Sequence, residues 1–245
     1  MSVAVTAQDE GVGQVVSKDD AERYVNGVKT EVAVARIRER VASLLVDLAG
    51  RGLASTTLSE RVPDADLFVT RPVLADDELA PENMMVVSLD GLSVPGTPGD
   101  DGLLPDDVEL YAAILKDAGA AALVHLEAGH AAAWAARGAA IPCLTAQAAR
   151  EFGGAVPVIA GPDVSAPAVI DSLREADAPA ILVAGLGALC VAASAREAVR
   201  LAQVLEGVAR TASLASEAEP LEADLIADLS GRARARRSTI TDGRR

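Results

Sequence analysis

Between residues 121 and 215 short runs of Ala, Val, Leu and Ile alternate with stretches of helical periodicity. That alternation restricts the chain to a sheet covered by helices, because each apolar strand needs a helix to bury its faces. Strands are expected at Ala121–His125, Val156–Ile159, Ile181–Ala184 and Leu189–Ala192, with an extended piece at Ile141–Leu144. Helices are expected at Ala128–Arg137, Ala146–Phe152, Ala166–Ala176 and Ala195–Ala215. The first half adds a long helix opened by Ser17, Asp19 and Asp20 and closed by Gly50 and Gly52. Val34, Ile37, Val41, Leu44, Leu45 and Leu48 form its apolar stripe. Strand-like pieces follow at Thr56–Arg61, Leu67–Thr70 and Met84–Leu89, and Asp90-Gly91 predicts a hairpin returning at Leu92–Val94. Pro105, Asp106 and Asp107 open a helix to Lys116. No repeat or linker divides the chain, so residues 17–230 are expected to form one α/β domain. Residues 1–16 lack a pattern and read as disordered.

Charge and composition exclude several functions. Of 245 residues only Tyr24, Phe68, Tyr111, Trp134 and Phe152 are aromatic, so the core must be aliphatic and base-stacking platforms are lacking. The formal charge is −14. Six arginines against one aspartate make residues 231–245 +5, which leaves −19 for the rest. Such an acidic body repels phosphate backbones, and nucleic acid is not an expected partner. The basic tail reads as a solvated, disordered end. Cys143 and Cys190 sit in apolar runs as buried free thiols. The longest uncharged run, Ala178 to Ala195, is interrupted by Gly185 and Gly187 and is short for a membrane span. With no signal-like N-terminus, a cytoplasmic protein is expected. Gly185-Leu186-Gly187 lacks the third glycine of a dinucleotide fingerprint, Cys190 standing in its place. No serine lies in a nucleophile-elbow phrase.

The order of elements, with Arg51-Gly52-Leu53, Leu67-Phe68-Val69-Thr70, Val86-Val87-Ser88-Leu89-Asp90-Gly91, Ala122-Leu123-Val124-His125, Ile141-Pro142 and Val204-Leu205-Glu206, resembles the class II aldolase/adducin family over residues 30–210. The family includes bacterial fuculose-phosphate aldolases, ribulose-phosphate 4-epimerase and the adducin head domain. The resemblance implies a three-layer α/β/α fold with a central mixed sheet, a homo-oligomer, typically a tetramer, and pockets between subunits. It also implies a divalent metal, usually zinc, held by three histidines. Here the first metal position is His125, the second is Glu127 and the third falls on Leu186. With two histidines in the whole chain a three-His site cannot form. The family's phosphate cradle aligns with Thr56-Thr57 and Asp106-Asp107, whose carboxylates repel a phosphate dianion. Its catalytic glutamate aligns with Val108, and Glu109 lies about 100° further round the helix.

The candidate site residues are therefore His125, Glu127 and Glu109. Glu127 and His130 also have the i, i+3 spacing of one helix face, and with His125 they are weak candidate ligands for Zn, Fe or Mn. The competing structural reading has Glu127 capping the following helix and the histidines bonded to nearby backbone. No cofactor is expected. The sequence points to a repurposed protein that is no zinc-dependent phosphosugar aldolase and retains a small-molecule pocket. The alternatives are a structural oligomer resembling the adducin head and a diverged metal-dependent carbon–carbon lyase.

Overall fold

The computed structural model describes residues 18–73, 79–97, 104–117, 119–160, 164–215 and 217–242, with side chains described from residue 27 to residue 236. The expectation for residues 1–16 falls outside this range. Seven α-helices and seven strands follow in the order α1 (Lys18–Gly50), β1 (Thr56–Arg61), β2 (Leu67–Thr70), β3 (Met85–Ser88), α2 (Val108–Asp117), β4 (Ala122–Leu126), α3 (Gly129–Ala136), α4 (Ala146–Phe152), β5 (Val158–Ile159), α5 (Ala166–Glu175), β6 (Ala180–Val183), β7 (Gly187–Ala192), α6 (Ala195–Leu214) and α7 (Ala223–Asp242).

One mixed sheet orders the strands β3-β2-β1-β4-β7-β6-β5. Its pairs are antiparallel except β5 with β6. Period-two alternation splits the core into two sets of side chains. Ala122, Val124 and Leu126 of β4 join one cluster with Ile37, Val41 and Leu45 of α1 and Ala198, Ala202 and Leu205 of α6. Leu123 of the same strand joins the other, with Tyr111 and Ile114 of α2 and Val169 and Leu173 of α5. The sheet is thus the middle layer of an α/β/α fold. Both faces are covered, which is why β6 and β7 read as unbroken apolar runs.

Helix ends follow local chemistry. Thr145, Ser165 and Ser194 accept from Ala148, Ala168 and Glu197 amides at the starts of α4, α5 and α6. Helix α3 has Ala128 at its N-cap, a residue with no capping side chain of its own. Glu206 of α6 supplies the cap, accepting from the His130 and Ala131 amides at 2.6 and 3.0 Å. Gly129 leaves room for it, since a Cβ there would lie 2.7 Å from the carboxylate.

Three segments depart from expectation. Beyond Asp90-Gly91 the chain makes one bridge, Val87 to Ser93, and no strand, because Pro95 has no amide to continue the ladder. Helix α2 starts at Val108, not at Pro105, whose carbonyl instead accepts from the Val108 amide in a turn. Residues 231–242, expected as a disordered tail, form the second half of α7. That helix packs Ile226 and Leu229 against the core and joins Arg234 to Asp177 at 2.7 Å.

Both thiols are free and buried as expected, and burial pushes each up from its ordinary range. Among the described residues no helix is long and apolar enough to cross a membrane.

Gly187 fixes the approach of β7 to β4. It holds φ at +138°, where side chains are strained, and a Cβ would collide with the Leu126 carbonyl oxygen. Gly187→Ala is expected to cost about 2 kcal/mol or more. Thermal unfolding should show a fall in Tm of at least about 4 °C.

Candidate functional site

His125 is the fourth residue of β4, between Thr57 of β1 and Leu189 of β7 in the ladder. Alternation points it to the α2 side of the sheet with Leu123, and it is 1% exposed. A ring this deep must satisfy both nitrogens. Nδ1 lies 2.7 Å from the Tyr111 hydroxyl and Nε2 lies 3.2 Å from the Leu186 carbonyl oxygen. A carbonyl only accepts, so Nε2 carries the proton, and in the neutral ring Nδ1 accepts from Tyr111. The two rings meet edge to face with centroids 5.8 Å apart.

Carboxylates crowd this pair. Glu127 Oε1 lies 3.7 Å and Asp107 Oδ2 4.0 Å from His125 Nδ1. The Thr57 hydroxyl donates to Glu127 at 3.2 Å. Burial, then the charges of Asp107 and Glu127, push the Tyr111 phenol far up, so it stays a hydrogen-bond donor. Burial is also the main reason the Asp107 carboxyl titrates above its ordinary range; His125 opposes that rise, while Glu127 and Asp106 add to it.

These groups open into a cleft of about 450 Å³ whose wall includes Thr57, Arg71, Asp106, Asp107, Tyr111 and Glu127. Arg71 is held by the Ala54 and Thr56 carbonyls at 2.8 and 3.2 Å. A carboxyl of raised proton affinity beside an imidazole and a phenol is a set able to take up and release a proton.

The structure brings together His125 and Glu127 of the sequence candidates but separates Glu109 and His130 from them. Glu109 is exposed beside the Gly91 turn, its Cγ 3.3 Å from where a Gly91 Cβ would be. Asp107, two residues earlier, is the carboxylate of α2's approach that reaches the ring. His130 lines a different depression, of about 340 Å³, with Arg51 and Arg210. The i, i+3 argument fails because Glu127 precedes the helix, which begins only at Gly129. Nor is Glu127 the cap of that helix; Glu206 takes that role. Among the described residues no group of three His, Cys, Asp or Glu is placed to hold a metal ion. The sequence reading did not name Tyr111 for the site. Its i, i+4 relation to Asp107, on a helix opened by two acidic residues, was the available signal.

The raised proton affinity of Asp107 has a signed consequence. A carboxyl raised in the fold favours the folded chain at low pH, and that contribution fades as pH climbs above its ordinary value of 3.8. Asp107→Asn abolishes the titration. Its Tm relative to the natural chain is therefore expected to rise as pH climbs above about 4 and to level off once the folded carboxyl is ionised. A difference that stays flat across that range would contradict the assignment.

The sequence model of the class II aldolase and adducin N-terminal domain matches residues 39–213. Among solved structures, L-fuculose 1-phosphate aldolase from Glaciozyma antarctica PI12 superposes with a TM-score of 0.71 at 19% identity, covering 83% of each chain. An aldolase II superfamily protein from Pseudomonas syringae gives 0.72 at 19% identity, covering 83% of this chain and 86% of that one. YgbL from Escherichia coli gives 0.66 at 23% identity, over 80% and 99%. At these identities the structural likeness speaks for the fold, while the sequence match spans well over half of the chain, and the protein belongs to the class II aldolase/adducin family.

Proposed function

We propose that this chain is a repurposed class II aldolase-like protein whose cleft binds a small molecule without a catalytic zinc ion. The observation that carries the reading is the state of His125. An imidazole coordinates a metal through a nitrogen lone pair. Here Nε2 is spent on the Leu186 carbonyl and Nδ1 on Tyr111. The family's remaining metal positions fall on Glu127, which is half exposed, and on Leu186, which presents backbone oxygen to the ring. These residues do not fit a three-histidine centre.

Phosphosugars fit the cleft no better. Asp106, Asp107 and Glu127 line it against one arginine, and Arg71 already donates to two backbone carbonyls. A phosphate dianion would meet like charge at short range. Any turnover in the cleft would rest on proton transfer by Asp107, with Tyr111 and His125 holding each other in one orientation beside it.

The family's homo-oligomer, most simply a cytoplasmic tetramer with the cleft facing a neighbouring subunit, is part of the same proposal. Val73 at the cleft wall is 58% exposed, and Val28, Val32 and Val46 of α1 are 42%, 47% and 54% exposed. Apolar contacts of this kind stabilise an interface by about 25 cal/mol per Å² before the entropic cost of association.

Purified protein is expected to hold far less than one zinc, iron or manganese per chain by elemental analysis. Fuculose or ribulose phosphates should leave its Tm unchanged, because only a ligand of the folded state stabilises it. A stoichiometric metal that disappears in His125→Ala, or a dose-dependent shift with either phosphosugar, would overturn the reading. Light scattering at micromolar concentration should find a tetramer that higher salt does not weaken, salt screening the acidic surface rather than an apolar contact. A monomer would remove the subunit-interface part of the proposal.

A further inference from the structure

A second depression, separate from the cleft, lies where α4, α6 and α7 meet. Its volume is about 440 Å³, and its charged walls are Arg150 and Glu151 of α4, Glu197 and Arg200 of α6, and Arg232 and Arg236 of α7. That size suits a small organic or inorganic ligand with several groups better than a single ion.

Arg200 engages both carboxylates in this groove. Arg200 donates to Glu151 at 3.0 and 2.7 Å and to Glu197 at 2.9 and 2.8 Å. Burial is outweighed by these bonds, and the guanidinium is held firmly charged. Arg232 gives only its Nε to Asp228, at 2.8 Å. Arg232 and Arg236 stand one turn apart on α7, where like charges repel unless an anion lies between them. Four arginines against two glutamates thus face one groove in a chain that carries −19 outside residues 231–245.

We propose that this groove is a binding site for a small polyanion, with Arg150, Arg232 and Arg236 as its contacts. Guanidinium forks match both phosphate and carboxylate oxygens, and several forks on separate helices select a ligand with more than one anionic group. The site exists because α7 is a docked helix. Binding should in turn hold α7 on α4, since a ligand that touches both stabilises their docked arrangement. The inference does not depend on what the His125 cleft binds.

Calorimetric titration of the full chain at low salt with inorganic tripolyphosphate, and separately with citrate, tests it. At least one is expected to bind, and Arg232→Gln with Arg236→Gln should weaken it at least about ten-fold. Arg150→Gln, on a different helix, should weaken it in the same direction. The pair Arg36→Gln and Arg210→Gln removes equal charge elsewhere on the surface and should leave affinity unchanged. Tighter binding of tripolyphosphate identifies a phosphate ligand, and tighter binding of citrate a carboxylate one. Absence of binding by both probes overturns the site, as does equal weakening by the groove and the control pairs.

Discussion

A neutral imidazole carries one donor and one acceptor, and burying it obliges the surrounding fold to supply one of each. His125 sits at the centre of the sheet with a strand on either side, where water cannot serve. Leaving one nitrogen unpaired would cost about 1–3 kcal/mol, a sizeable part of a domain's net stability. The Tyr111 hydroxyl satisfies one side and fixes where α2 lies on the sheet. The Leu186 carbonyl satisfies the other and fixes the path of the turn between β6 and β7. That turn can pass so close only because Gly187 has no side chain to strike Leu126. The cleft beside the ring inherits its shape from these two contacts.

The same two contacts decide the chemistry left to the position. With both ring nitrogens engaged, His125 is a hydrogen-bonding centre within the core. The carboxylates of Asp107 and Glu127 lie 4.0 and 3.7 Å from its Nδ1. Partial burial first, and the nearby charge of Glu127 after it, raise the proton affinity of Asp107.

Charge is also sorted at the level of the whole molecule. Acidic residues dominate the body, while arginines are concentrated in the C-terminal segment. Helix α7 brings those arginines back onto α4 and α6 through Ile226, Leu229 and the Arg234–Asp177 pair. The matched family region ends at residue 213, so this basic face is carried by an element beyond it.

Much of the architecture was legible in the chain. Short apolar runs separated by helical periodicity determine strands and helices almost to the residue, as at Leu67–Thr70 and Ala146–Phe152. Counting two histidines excluded a three-imidazole centre before any coordinates. Three features were decided only by tertiary structure. Glu109 and Asp107 are two residues apart, but the packing of α2 chooses which one reaches His125, because two residues of helical rotation, about 200°, separate cleft from solvent. His130 and Glu127 share a helical spacing, yet the helix starts after Glu127, at a point set by a capping carboxylate 76 residues further on. The C-terminal arginines carry little apolar periodicity, so the sequence alone determines their charge and composition. Their helix and their groove exist through contacts with surfaces that local sequence does not encode.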